Sequence, residues 1–156
     1  MKTVYLDQSE LSVRDDFPEP TLHSDEVLVR TILAGICETD LQLLKGYMGF
    51  SGVLGHEFVG EALTGSFAGR RVVGEINCPC RQCDYCSSGL GNHCPHRSVI
   101  GILKHDGAFA ERIAIPQSNL HLVPESMPDE VAVFAEPVAA AFQIPAQLPL
   151  TGEEKV

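Results

Sequence analysis

Four cysteines stand close together in one short segment of this 156-residue chain. Cys80, Cys83, Cys86 and Cys94 lie in the run NCPCRQCDYCSSGLGNHCP, with the spacing C-x-x-C-x-x-C-x7-C. Four thiolates at such spacing can close around one tetrahedral ion, and thiolate sulfur prefers zinc or iron. A site closed by four protein ligands has no open position for a substrate. The segment therefore predicts a structural metal site that stabilises its own loop.

Zinc is the favoured ion for this segment, and an iron–sulfur cluster is the main alternative. A C-x-x-C-x-x-C run with a final Cys-Pro also occurs in ferredoxins, but there the last interval is short and a second set of cysteines is usual. Here the last interval is long, and the chain has one such set. Cys78 is a fifth thiol in the same loop, either a substitute ligand or a spare thiol.

A second and looser set of metal-ligating residue types is spread along the chain. It comprises Cys37 in GICETD, His56 and Glu57 in GHE, and Glu136 in AEP. Cysteine, histidine and carboxylate from separate segments suit a catalytic zinc, which keeps one position for water or substrate. Glu136 lies in an apolar run, where a buried carboxylate needs a cation or a hydrogen-bond network. The alternative for Cys37 is core packing, because a lone cysteine often behaves as a small apolar residue.

The elements that must position these residues are mostly β-strands. Segments with strand-like apolar patterns, bounded by glycine and proline, are residues 26–37, 55–63, 69–76 and 107–116. Residues 77–97 have no apolar period and form an irregular cysteine lobe. Many short strands with Gly/Pro turns predict a mainly β, barrel-like (α+β) domain with small helices.

Two segments have helical patterns. The first, TDLQLLKG, is expected to be capped by Thr39 or Asp40 and ended by Gly46. The second is residues 128–143, read as one or two helices with Pro137 in the first turn of the second. The first helix follows directly after Cys37, and the second contains Glu136, so both adjoin candidate ligands.

Composition excludes several classes of function. The net charge of −10 argues against a nucleic-acid partner, which requires a basic face. No stretch approaches the roughly 20 apolar residues of a membrane span, and the N-terminal residues lack the apolar core of a secretory signal. Six cysteines without such a signal favour metal binding in a reducing compartment over disulfides. The expectation is a soluble cytoplasmic protein.

The motifs, taken together and in order, resemble the zinc-dependent medium-chain dehydrogenases, the alcohol, polyol and threonine dehydrogenase superfamily. GICETD is similar to that family's G-x-C-x-T/S-D segment, GHEFVG to its G-H-E-x-x-G signature, and GRRVV to its G-D-R-V strand. The cysteine spacing matches the family's structural zinc loop, and DGAFAE and AEP complete the series. The resemblance implies a GroES-like distorted β-barrel over residues 1–156, with the structural-zinc lobe at 77–97.

The resemblance also implies roles for individual residues. Cys37, His56 and Glu136 would surround the catalytic zinc, and Glu57 would be a ligand or an exchangeable carboxylate beside it. Thr39 would pass the substrate hydroxyl proton toward solvent. A glutamate in AEP, where familiar alcohol dehydrogenases have cysteine, resembles the polyol, threonine and glucose dehydrogenase branches.

Asp40 would orient His56 through the second ring nitrogen, which fixes the tautomer. The family's chemistry then implies two zinc ions per chain, one structural and one catalytic. The catalytic ion acts as a Lewis acid that lowers the pKa of an alcohol, whose hydride passes to a nicotinamide. The implied substrate is a small primary or secondary alcohol, and the implied cofactor is NAD or NADP.

No G-x-G-x-x-G motif occurs in the sequence, so we expect the Rossmann cofactor domain to be absent and assign no cofactor-binding residue. The chain would be the N-terminal domain of a dehydrogenase, inactive alone and homo-oligomeric when full length. The alternative is a non-enzymatic, zinc-stapled β-domain that serves as a scaffold or binding module, for which the cysteine lobe alone would suffice.

Overall fold

The computed structural model describes residues 1–148 and 152. Short strands make up most of the regular structure in this part of the chain. The strands are β1 (Thr3–Asp7), β2 (Glu10–Arg14), β3 (Glu26–Gly35), β4 (Gly52–Val53), β5 (Glu57–Ala62), β6 (Arg71–Gly74), β7 (Asn77–Cys78), β8 (Ser98–Val99), β9 (Arg112–Pro116) and β10 (Leu120–Leu122). The predicted mainly β domain with short helices is confirmed. The predicted domain boundary at residue 156 lies outside the described residues.

Four α-helices connect or follow the strands in the described residues. They are α1 (Glu38–Leu44), α2 (Asp84–Ser87), α3 (Asp129–Ala132) and α4 (Ala135–Gln147). Single 3-10 turns lie at Tyr47–Gly49, Gly91–His93 and Gln117–Asn119. Within this part of the chain, no helix has both the length and the apolar character needed to cross a membrane.

The central sheet is antiparallel and has the strand order β10-β6-β5-β3-β9. A second sheet has the order β2-β1-β4, and β7 pairs with β8 at the base of the cysteine lobe. The core of the central sheet comes from apolar side chains that alternate along the strands, among them the fully buried Val29, Val72 and Ile115. Burying a side chain of this size stabilises the fold by about 1.5–3 kcal/mol.

The pairing of β3 with β5 sets the position of the second group of candidate ligands. In its register, Gly35 at the end of β3 is opposite Glu57 at the start of β5. Cys37 follows β3 by two residues and His56 precedes β5 by one, so antiparallel pairing brings both to the same edge of the sheet. Residues 19 positions apart in sequence thereby become neighbours.

Gly55 fixes the backbone that enters β5. Its φ is +95°, a left-handed conformation that favours glycine, and a Cβ at this position would collide with the ring of Phe109. The N–H groups of Ala108 and Phe109 donate to the carbonyls of Gly55 and Leu54, both at 2.8 Å. These backbone contacts fix the chain immediately before His56.

The structure corrects the predicted start of the first helix. α1 begins at Glu38 and its N-cap is Cys37, so the prediction of Thr39 or Asp40 as the cap was wrong. The reason is that the Asp40 carboxylate reaches back and accepts a hydrogen bond from the Cys37 N–H at 2.9 Å. The third residue of the helix thus supplies the acceptor for the backbone N–H of the N-cap residue.

Other helix predictions are confirmed. Gly46, just beyond the last turn of α1, has a φ of +92°, as expected of a residue that ends a helix. The segment 128–143 forms the two helices α3 and α4, with Pro137 as the third residue of α4. The second helix continues to Gln147, past the predicted end.

Candidate functional site

Two groups of potential metal ligands occur among the described residues. One comprises the four cysteines of the lobe, and the other comprises Cys37, His56 and Glu57. Within each group, the ligand atoms lie within 4.8 Å of one another. Six cysteines are free thiols, and the groups use five of them.

The four-cysteine group has the dimensions of a site for one ion. Four of its sulfur pairs are separated by 3.5 to 4.0 Å. A tetrahedral ion with zinc–sulfur bonds of about 2.3 Å places its sulfurs about 3.8 Å apart. These separations are far longer than a disulfide bond and too short to enclose a cluster of several iron and sulfide atoms. The geometry therefore fits a single tetrahedral ion better than the iron–sulfur alternative.

Backbone amides favour the thiolate form of part of this group. Cys94 is fully buried, and although desolvation opposes its ionisation, the backbone N–H groups of Cys80 and His96 lower its pKa to about 6. The N–H of Cys80 lies 3.5 Å from the Cys94 sulfur. Burial and the neighbouring thiols raise the pKa of Cys86 to about 11. Without a cation the four sulfurs cannot all ionise, because like charges at this distance repel, so the donor set fits a bound dication.

Cys78 is separate from this group. Its sulfur lies 3.5 Å from Nδ2 of Asn119 and 3.8 Å from the carbonyl of Ile76. Burial raises the pKa of the Cys78 thiol to about 11, so it stays protonated near neutral pH. Its surroundings make it a buried thiol rather than a ligand.

Asn119 connects the cysteine lobe to the central sheet through side-chain hydrogen bonds. It is 2% exposed, and its Nδ2 donates to the carbonyls of Glu75 and Asn77 at 2.8 and 2.7 Å. Its Oδ1 accepts a hydrogen bond from Arg81, next to Cys80, at 3.0 Å. Sequence reasoning missed this residue, because an asparagine in a turn has no distinguishing pattern until its partners are known.

The second group is more buried than the first. His56 and Glu57 are 3% and 8% exposed, and Cys37 is half-buried at the start of α1. Thiolate, imidazole and carboxylate form the mixed donor set of zinc sites that leave one coordination position open. Burying ionisable groups this closely is costly unless a cation joins them, so the residues fit the ion that the sequence implies.

Asp40 links two members of this group. It is 2% exposed; one carboxylate oxygen accepts the Cys37 N–H, and the other lies 3.4 Å from Nδ1 of His56. With Nδ1 facing Asp40, Nε2 is the imidazole nitrogen available to a metal. Desolvation lowers the pKa of His56, but the nearby carboxylate of Asp40, with a smaller contribution from Cys37, outweighs it and raises this pKa to about 9.

Glu136 approaches this group without joining it. It is the second residue of α4, a helix that packs against β5 and β6. Its carboxylate is not among the ligand atoms that lie within 4.8 Å of one another. Burial raises its pKa, the charge of His56 lowers it, and the charge of Glu57 raises it, so the three groups share one electrostatic environment. Glu136 also lines a cleft of about 340 Å³ between α4, β6 and the cysteine lobe.

Thr39 lies beside Cys37. Its hydroxyl oxygen is 3.7 Å from the Cys37 sulfur, and its side chain is half-buried. The Cys37 thiol donates to this hydroxyl across a long, weak contact, which leaves the hydroxyl proton for another acceptor. The position is compatible with the proton-transfer role that the resemblance implies.

Comparison with protein families identifies residues 23–125 as an alcohol dehydrogenase GroES-like domain. The matched range includes both groups of candidate ligands and ends before Glu136. The chain is similar to L-threonine 3-dehydrogenase of Streptomyces coelicolor, with 37% identity over 155 residues that cover 89% of this chain and 44% of the relative.

Two solved structures of similar fold are dehydrogenases of Escherichia coli. An Escherichia coli CFT073 short chain alcohol dehydrogenase, complexed with NADH, superimposes with a TM-score of 0.86 at 32% identity, over 94% of this chain and 45% of the other. Galactitol-1-phosphate dehydrogenase from Escherichia coli gives a TM-score of 0.83 at 30% identity, over the same shares of the two chains. The chain thus spans less than half the length of the relatives it matches.

Proposed function

Because the chain belongs to the family of alcohol dehydrogenase GroES-like domains, we propose that it is the metal-binding part of an NAD(P)-linked dehydrogenase that oxidises a polar alcohol. The observation that carries this proposal is the convergence of Cys37, His56 and Glu57 in a buried group separate from the cysteine lobe. In this proposal the whole enzyme oxidises a primary or secondary alcohol, and the amino alcohol and polyol classes named by the relatives are the first to test.

Each residue of the buried group has a task in the proposed reaction. Cys37, His56 and Glu57 would hold the zinc, and Glu136, which lies outside this group, would be a further, exchangeable ligand. Asp40 keeps the proton of His56 on Nδ1, so that Nε2 faces the metal. When bound, the zinc supplies Lewis acidity, which makes the substrate hydroxyl more acidic. Thr39 receives the hydroxyl proton and passes it toward solvent.

We propose that Cys80, Cys83, Cys86 and Cys94 hold a second, structural zinc. Two ions per chain therefore follow, with different exposures and different ligand sets. A zinc-stapled scaffold without catalytic function would need only the lobe. Such a scaffold would have no reason to bury the ionisable residues of the other group, so the enzyme proposal accounts for more of the structure.

We assign no residue of this chain to NAD or NADP. We accordingly expect the chain alone, supplied with NAD⁺ or NADP⁺ and L-threonine, to form no reduced cofactor. The absorbance band of the reduced nicotinamide would reveal turnover. Turnover would contradict the proposal that the chain binds the metal but not the cofactor. The cytoplasmic location and homo-oligomeric assembly of the whole protein remain predictions.

The metal content of the purified chain tests the proposal directly. We expect about two zinc ions per chain by elemental analysis, one of them lost on Cys37→Ala and the other on Cys83→Ser. Circular dichroism of Cys37→Ala should match that of the unmodified chain, because Cys37 is at the edge of the sheet. One zinc per chain, with no change on Cys37→Ala, would contradict the metal site on which the function depends.

A further inference from the structure

Gly35 occupies a position where a side chain would meet a candidate ligand. It is the last residue of β3 and is directly opposite Glu57. An ideal Cβ on Gly35 would be 2.6 Å from Glu57 Oε2 and 3.3 Å from the Glu57 Cβ. The φ of Gly35 is not positive, so the backbone conformation does not require glycine here. Glycine is required here because there is no room for a Cβ.

That space is occupied by the Glu57 side chain. Glu57 is 8% exposed, and its carboxylate lies over the backbone of Gly35 while facing Cys37 and His56. To restore an ordinary contact of 3.4 Å with a Cβ, the oxygen would have to move by about 0.8 Å, the difference from 2.6 Å. Metal–ligand distances tolerate only about 0.2 Å. A methyl group at this position is therefore expected to displace this oxygen by several times the tolerance of a metal–ligand distance.

We propose that Gly35 is a positioning residue of the buried metal site, and that its missing side chain is what allows the Glu57 carboxylate to face the ion. The inference rests on the proposed function, since it requires a metal to bind at Cys37 and His56. It adds a residue that ligates nothing and acts through Glu57. It also makes Glu57, rather than Glu136, the carboxylate whose placement is built into the sheet.

The experiment uses the chain with zinc already in the four-cysteine lobe and titrates Co²⁺ into the second site. Cobalt reports its ligands through visible absorption, and binding to thiolate gives an intense ultraviolet band. We expect Gly35→Ala to weaken Co²⁺ binding by about 10- to 100-fold, the usual loss when a supporting residue of a metal site is disturbed. Ile36→Ala is the matched control: Ile36 is the next residue and is 75% exposed, so its Co²⁺ affinity should not change.

A double variant separates the steric mechanism from general damage. Glu57→Ala removes the side chain with which the new methyl group would collide. We therefore expect Gly35→Ala to have no further effect on Co²⁺ affinity in the Glu57→Ala background, and the double variant to fold and keep its lobe zinc. If Gly35→Ala alone is too unstable to titrate, this recovery of folding in the double variant is itself the supporting result.

Different outcomes overturn different statements. Wild-type affinity in Gly35→Ala, or an equal loss of affinity in the presence and absence of the Glu57 side chain, would overturn the role of Gly35 alone. A wild-type chain that takes up no Co²⁺ beyond the filled lobe would overturn the proposed function together with this inference.

Discussion

The two groups of candidate ligands are built in opposite ways. The four cysteines lie within 15 consecutive residues, 80–94, a segment whose regular structure is two very short helical segments. The members of the other group come from the end of β3 and the start of β5, and two of the three, His56 and Glu57, are buried. In the proposed two-metal arrangement, the ion organises the chain in the lobe, whereas the sheet positions the ligands in the other group.

The difference has an energetic consequence. Of the lobe residues only Cys78 and Cys94 are buried, so the lobe has little apolar core, and we expect ion binding and folding of the lobe to be coupled, as in small zinc-bound domains. The buried group depends on strand pairing, on the crossing at Gly55 and on the Asp40 contacts, which do not need the ion. We therefore expect removal of metal to unfold the first region and to leave the second nearly intact.

Cys83→Ser should have the largest effect of any single change considered. Structural zinc in comparable thiolate sites contributes on the order of 10 kcal/mol of apparent binding free energy, and a hydroxyl is a poor substitute for a thiolate ligand. We expect loss of the lobe ion, proteolytic cleavage within residues 77–97 and a lower melting temperature. Elemental analysis and limited proteolysis measure the first two effects.

Cys78→Ser provides the control for that change. Cys78 is in the same segment but outside the ligand group, with contacts to Asn119 and Ile76. It should keep its lobe ion and resist proteolysis. A loss of the ion in this variant as well would mean that Cys78 is a ligand and that the assignment of the four sulfurs is wrong.

The contrast between the two groups also explains what could be predicted from the sequence. The C-x-x-C spacing of the lobe is local, so it indicates a metal site without any knowledge of the fold. Cys37 and His56 become neighbours only through the register of β3 and β5, which no spacing rule encodes. Their residue types suggested a catalytic zinc, and the resemblance to a family then supplied their roles, whereas Gly35 was missed because its role depends on one cross-strand contact.

The hairpin of β1 and β2 was also not predicted from the sequence, and the reason is the composition of its turn. Its two-residue turn consists of Gln8 and Ser9, with φ values of 46° and 67°. Such turns normally contain Asn-Gly or Asp-Gly, because both positions require positive φ. Gln-Ser lacks that signature, so nothing in the local sequence marks the turn. The pairing of β1 with β4 stabilises the hairpin even though its turn lacks the usual residues.

Asn119→Ala tests the connection between the two regions and should have the next largest effect. The carbonyls of Glu75 and Asn77 would lose their donor, at about 1–3 kcal/mol for each one left unsatisfied. Water can partly replace the amide, so we expect a loss of about 2–4 kcal/mol in the free energy of unfolding. Chemical denaturation of the zinc-loaded chain measures it.

Ser118→Ala is the neighbouring control, because Ser118 is exposed and should change the stability by less than about 0.5 kcal/mol. The lobe ion should remain bound in Asn119→Ala, since no ligand is altered. Equal stability of the two variants would show that the lobe is attached to the barrel by other contacts.

Asp40→Asn should weaken the buried site by about 10- to 100-fold in metal affinity and leave the lobe unchanged. The amide has one oxygen and one NH₂ group, whereas the Cys37 N–H and the His56 Nδ1–H both need an acceptor. If the imidazole proton moves to Nε2 to relieve the conflict, the nitrogen that should face the metal is blocked. Competition with a chelator of known affinity measures the change.

Glu38→Gln is the matched control for charge, because Glu38 is an exposed acidic residue of the same helix. Both variants lose one negative charge, but only Asp40→Asn disturbs His56. A comparable loss of metal affinity in Glu38→Gln would mean that the net charge near α1, rather than the orientation of the imidazole, controls binding.

Thr39→Val should have the smallest effect and sharpen the comparison most finely. The Thr39 hydroxyl is 3.7 Å from the Cys37 sulfur, too far to contribute much to metal binding, and valine keeps the shape of the side chain. We expect the metal affinity of the buried site to change by less than about twofold, equivalent to less than about 0.5 kcal/mol. A tenfold loss would show that the hydroxyl tunes the Cys37 thiolate. An unchanged affinity would mean that the hydroxyl is free to contact the substrate. The buried group would then differ from the lobe in having a neighbouring residue that serves the reaction without binding the ion.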